Sequence, residues 1–211
     1  MLKKNKLEKI VKICLIIGLL IVIIHVFHAF TLDRIIEYRE ISFYSPHFPP
    51  DMNGYRIAFI SDTHTLSEND LKKIVANLNA KQIDLLALGG DYHHDYEETE
   101  LLMEILSQVE TSDGIFGVEG NHDDYQTLFT AMETHGITPL SNSGVYVREH
   151  FYISGVEDLW NRSPDVAEAI AGTAADDFVL LLSHNPDAAM VQDTTGVRSC
   201  IQPYVKERTK V

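Results

Sequence analysis

The stretch Ile83-Asp84-Leu85-Leu86-Ala87-Leu88-Gly89-Gly90-Asp91 decides the fold class. Its apolar run has the length of a strand, and a run with no polar alternation belongs to a strand buried on both faces. The glycine pair lets the backbone turn sharply and brings the Asp91 carboxylate close to a ligand. The same layout recurs three times. Residues 55–61 lead into Asp62-Thr63-His64, residues 115–118 into Gly120-Asn121-His122-Asp123, and residues 178–182 into Ser183-His184. Each polar group stands where a buried strand emerges at a sheet edge, the place where α/β enzymes build their sites.

Amphipathic segments separate these strands, so the fold class is α/β. Helices are expected from Ser67 to about residue 79, with Asp70 three residues on as in a capping box, and over 97–109, with Leu101, Leu102, Ile105 and Leu106 on one face. A third helix is expected over 124–134 and a fourth over 186–192. Residues 145–148 and 151–154 flank Glu149-His150 and read as a hairpin. Ser163-Pro164 offers an N-cap and first-turn proline for a short helix to Ala171. Residues 39–44 form a further strand candidate, and Pro46, Pro49 and Pro50 mark a boundary, so the body begins near Asp51.

Residues 13–30 carry no formal charge and have about the length needed to cross a bilayer. Five lysines against Glu8 precede them. The positive-inside tendency then places residues 1–12 in the cytosol and the body outside, with 13–30 as an uncleaved signal anchor and 31–50 as a juxtamembrane linker. His25 and His28 belong to the membrane interface. Net charge is −14 overall, so the body is more acidic still, which disfavours nucleic acid as a partner. The 2 cysteines, Cys14 and Cys200, imply neither a disulfide framework nor a thiolate zinc site.

Phosphoester hydrolysis needs neutralised phosphoryl oxygens, a deprotonated water and a proton for the leaving alcohol, and two divalent cations serve the first two needs. Asp62 and His64 offer one hard and one borderline ligand suited to Mn, Fe or Zn. Asp91 fits a carboxylate shared between two cations. Asn121 offers an amide oxygen, His122 an imidazole for acid–base work, Asp123 a carboxylate to orient that ring, and His184 a further imidazole ligand. Taken singly, an Asp-x-His, a loop-capping Asp or a strand-end His has an ordinary structural explanation. The four clusters in this order carry the reading together.

In these motifs the chain resembles the calcineurin-like metallophosphoesterase family, in its membrane-anchored bacterial branch, over about residues 55–197. The resemblance implies a four-layer αββα sandwich with a dinuclear centre. It assigns Asp62 and His64 to the first metal, Asp91 to both, and Asn121 and His184 to the second, with His122, backed by Asp123, contacting phosphate and protonating the leaving group. His93 and His94 match no family ligand and are expected to face substrate. The substrate class implied by the tether is a lipid-linked or cell-envelope phosphoester.

The family's closing Gly-His-x-His does not follow His184, so the sandwich is expected to be incomplete over 51–197, with 198–211 an atypical tail, weakened metal binding and an exposed sheet edge. A catalytically impaired remnant or binding module is the competing expectation. Permitted codons for residues 197–203, read one nucleotide later, can spell Asp-Leu-Ala-Phe-Ser, so a frameshift near Val197 is one account. The gene's nucleotides decide it.

Overall fold

The computed structural model describes residues 2–32, 36–64, 66–92, 96–188 and 192–202. The chain divides into two compact units, Met1–Phe43 and Tyr44–Val211. The first contains helix α1 (Leu2–Leu32). Its segment Glu8–Phe27 is 20 residues long, with a mean hydropathy of 3.0 and 0% of it buried. At 1.5 Å per residue that segment matches the roughly 30 Å hydrocarbon thickness of a bilayer. His25 Nδ1 bonds the carbonyl of Ile21 at 2.9 Å, so this ring is satisfied within the helix.

The strand expected over 39–44 is not formed. Ile41 and Tyr44 are 88% and 89% exposed, so these apolar side chains gain no burial that would drive pairing.

The second unit holds two four-stranded sheets. The first runs in spatial order β1 (Ile57–Ile60), β2 (Leu85–Leu88), β3 (Ile115–Gly117), β4 (Thr138–Pro139), and its pairings are parallel. The second runs β5 (Ser143–Arg148), β6 (Phe151–Gly155), β7 (Phe178–Leu182), β8 (Ser199–Ile201), with an antiparallel β5–β6 hairpin followed by parallel pairs. Leu85, Ala87 and Phe116 from one sheet share a core with Phe151, Ile153, Phe178, Leu180 and Leu182 from the other, so the sheets pack face to face. The alternate residue Leu181 of β7 packs outward with Val156, Ala188 and the Val166 and Ala169 side chains of helix α5 (Val166–Ala169). A strand that feeds two apolar layers must be apolar at every position, which explains its uninterrupted run.

Helices α2 (Glu68–Lys81), α3 (Tyr96–Leu106) and α4 (Tyr125–Thr134) neighbour one another in that order. Ser67 caps α2 by accepting from the Asp70 N–H, and Asp124 caps α4 by accepting from Thr127. At Gly117 of β3 the end of the Met132 side chain from α4 fills the space that a Cβ would take.

Three expectations change. Helix α5 is capped by Asp165, not Ser163: it begins at Val166, and the Asp165 side chain accepts from the Glu168 N–H at 2.9 Å. Pro186 and Asp187 form a turn, Ala188 is helical, and residues 189–191 of the helix expected over 186–192 lie outside the described residues, as do His93 and His94. The edge expected to be bare beside β7 is paired: Ser199–Ile201 adds the parallel strand β8, with Cys200 opposite Leu181.

The β5–β6 turn is tied to the start of β7. His150, at φ 60, places Nδ1 3.0 Å from Asp177 Oδ1, while the Tyr146 hydroxyl and the Ala174 N–H donate to Asp177 Oδ2. The bond to Asp177 raises the His150 pKa. Burial pushes the Asp177 carboxyl up, and the bonds from Tyr146, Ala174 and His150 outweigh it, leaving its pKa lowered. A raised imidazole contributes stability below its ordinary pKa and loses it as pH climbs through the folded value. The Tm advantage of the native chain over His150→Gln is therefore expected to be largest below the ordinary imidazole pKa and to shrink as the pH rises past it. A gap independent of pH would contradict this clasp.

Candidate metal centre

Because β1, β2 and β3 are parallel neighbours, their C-terminal ends open side by side, and each delivers one loop. The loop after β1 carries Asp62 and His64, both at positive φ (54 and 22). Asp91 after β2 is also left-handed (φ 59), next to Gly90 at φ 93. Such conformations cost an aspartate or histidine up to a few kcal/mol, and their clustering in two loops that face each other marks a functional edge. A Cβ on Gly90 would lie 2.5 Å from the Gly120 nitrogen, so the loops after β2 and β3 touch backbone to backbone.

The ligand atoms of Asp62, His64 and Asp91 all lie within 4.8 Å of one another. Asp91 is the hub. Its Oδ1 accepts from the His122 N–H at 2.9 Å, and its Oδ2 stands 3.5 Å from His64 Nε2 and 3.5 Å from His184 Nε2. Two ligands on one tetrahedral divalent ion, each about 2.1 Å from it, lie about 3.4 Å apart. Both imidazole-to-carboxylate distances are therefore of the size that donors to a divalent ion show.

His184 comes from the other sheet, at the end of β7. It is 9% exposed, and its Nδ1 is 2.8 Å from the carbonyl of Gly89. A carbonyl can only accept, so Nδ1 donates to Gly89, and Nε2, the nitrogen facing Asp91, is the one left for a metal. The hydrogen bond to the Gly89 carbonyl fixes the ring's orientation for ligation through Nε2.

Asp123 accepts three backbone bonds at once: from Asp91 N and Gly120 N on Oδ2, both at 2.8 Å, and from Tyr92 N on Oδ1 at 2.9 Å. Burial raises its pKa, and the three bonds oppose that rise. Its carboxylate thus clamps the loops after β2 and β3 through their backbones. The His122 ring stands edge-on to that of His64, with centroids 5.6 Å apart. Asn121 lies between Gly120 and His122, and its backbone carbonyl accepts from Asn161 Nδ2 at 2.6 Å.

Sequence reasoning missed three supports. Tyr92 is fully buried, accepts from the Gly90 N–H at 2.9 Å and donates to the Val118 carbonyl at 3.2 Å; its burial holds the phenol well above its usual pKa. Thr63 donates to the Tyr92 carbonyl at 3.2 Å. Glu119, 1% exposed, faces the Arg162 guanidinium, with Nε 3.1 Å from Oε1. Burial pushes Glu119 up to about 7 against the opposing pull of Arg162. An aromatic directly after Asp91 is the one local sign of Tyr92; the others depend on contacts across the sandwich.

Comparison with known proteins agrees with this geometry. The chain is 29% identical over 163 residues to a transmembrane protein with metallophosphoesterase domain from Danio rerio, covering 67% of this chain and 37% of that one. It is 28% identical over 175 residues to the uncharacterized metallophosphoesterase YkuE of Bacillus subtilis (strain 168), covering 74% and 60%. The chain thus spans less than two thirds of the length of these relatives. One solved crystal structure overlays with a TM-score of 0.51 at 13% identity, covering 62% of this chain and 68% of the other, a likeness of fold. The calcineurin-like phosphoesterase family matches residues 55–207, from before β1 to past β8, and the chain belongs to that family.

Proposed function

We propose that this chain is a metal-dependent phosphoester hydrolase with a dinuclear centre. Asp62 and His64 would hold one divalent cation, Asn121 and His184 the other, and Asp91 would serve both, with Mn, Fe or Zn matching the mixed oxygen and imidazole donors. The observation that carries this is the single Asp91 oxygen 3.5 Å from both His64 Nε2 and His184 Nε2. Such cations, when bound, neutralise phosphoryl oxygens and supply a hydroxide near neutral pH.

The protein's own groups do the rest. His122, beside His64 and tied by its N–H to Asp91, meets the phosphate and gives its proton to the leaving oxygen. The Asp123 clamp and the Gly90–Gly120 contact keep the loops after β2 and β3 in register, so the donors are set before substrate arrives. Helix α1 tethers the body to the membrane with its N-terminus cytosolic, and the substrate is a lipid-linked or cell-envelope phosphoester. The acidity of the body disfavours nucleic acid.

The full chain in detergent micelles, given Mn²⁺ and bis(4-nitrophenyl) phosphate, is expected to release nitrophenolate in proportion to bound metal and to stop on chelation. Metal uptake without turnover would favour the alternative, a binding module on the same scaffold.

A further inference from the structure

The loop after β6 packs against the loop that carries Asn121, and one of its side chains reaches the Asn121 backbone directly. Strand β6 is parallel to β7, so its C-terminal end opens on the same edge as His184. The segment that follows is a tight turn. Asp158 is 1% exposed, and its Oδ2 accepts from the N–H groups of Trp160 and Asn161 at 2.9 and 2.7 Å. Arg162 closes the turn through the Asp158 carbonyl at 3.1 Å. Its guanidinium ion-pairs with Glu157 and Glu119 and lies 4.0 Å over the Tyr125 ring. Glu119 belongs to the loop after β3 and Tyr125 to the start of α4, so Arg162 joins the two sheets' loops on both sides of Asn121.

We propose that Asn161 is a positioning residue for Asn121. Its Nδ2 donates to the Asn121 carbonyl at 2.6 Å, which fixes the peptide from which the Asn121 amide is presented. With that peptide fixed, only the side-chain torsions of Asn121 remain to be ordered when a cation arrives, so less freedom is lost on binding. The Asp158 turn and the Arg162 pairs hold Asn161 in turn. This inference rests on the reading of Asn121 as a metal ligand, and it adds a residue outside the motif clusters to the machinery.

The test is calorimetric titration of Mn²⁺ into the full chain in micelles, comparing the native protein with Asn121→Ala, Asn161→Ala and Asn161→Asp. The aspartate is nearly isosteric but sets an acceptor against the Asn121 carbonyl. Loss of an outer-shell partner typically weakens metal affinity 10–100-fold. Both Asn161 variants are expected to weaken the same equivalent that Asn121→Ala removes by at least about tenfold. The other equivalent and the metal-free Tm are expected to stay unchanged, a split that general unfolding would not produce. If Asn121→Ala weakens one equivalent and the Asn161 variants do not, the positioning role is wrong and the ligand assignment stands. If the native chain takes up no metal, or Asn121→Ala binds as the native does, both fall together.

Discussion

Asp91→Asn is expected to abolish metal-dependent hydrolysis and the thermal stabilisation that metal confers, while leaving the metal-free protein folded. The substitution keeps the shape and keeps an Oδ1 that can accept from the His122 N–H, so the loop contact at 2.9 Å survives. It removes the charge at the oxygen that faces both imidazoles. The loss of turnover should exceed the roughly 100-fold that follows loss of an outer-shell partner, because Asp91 serves both ions. For the native chain, metal at a hundredfold excess over Kd adds about 2.7 kcal/mol per site, a Tm increase of roughly 5–10 °C for a body of this size. Scanning calorimetry with and without Mn²⁺ reads both halves. A variant that still gains several degrees from metal would show that Asp91 is not the shared ligand.

Gly120→Ala is expected to damage the fold and the centre together. A Cβ at Gly120 would stand 2.5 Å from the Asp91 nitrogen and would overlap the Asp91 carboxylate, and neither is a flexible side-chain end that can swing away. Overpacking of this kind costs about 1–3 kcal/mol, and here relief requires Asp91 to move out of register with His64 and His184. The expected result is a Tm lower by several degrees and loss of tight metal uptake. Gly172→Ala serves as the control, since the nearest atom to a Cβ there is the Tyr152 hydroxyl at 3.6 Å, an ordinary contact. Equal behaviour of the two variants would mean that the backbone contact between the loops does not position Asp91.

The strands that carry chemistry were legible because burial on both faces leaves a run apolar at every position, and each run ends at a residue whose type is costly to place at random. Leu85–Leu88 and Phe178–Leu182 coincide with β2 and β7 for that reason. What was not legible depends on contacts distant in sequence. Strand β4 is two residues long and contains Pro139, and β8 contains Ser199 and Cys200, so neither has a pattern to read before its neighbours are in place. The opposite error occurred at 39–44, where apolar residues suggested a strand but remain in solvent. The backbone clamp at Asp123 could not be read either, since two of its three donors, Asp91 and Tyr92, lie about thirty residues upstream. Asn161 is forty residues from the carbonyl it holds.

The claim on which the rest depends is that these side chains surround cations at one sheet edge. Anomalous diffraction from crystals of the full chain grown with Mn²⁺ tests it most directly. The account predicts two peaks flanking Asp91 Oδ2, one against Asp62 and His64 and one against Asn121 and His184. A peak beside His150, Asp176 and Asp177, the other cluster of ligand-type groups among the described residues, with none beside Asp91, would contradict it.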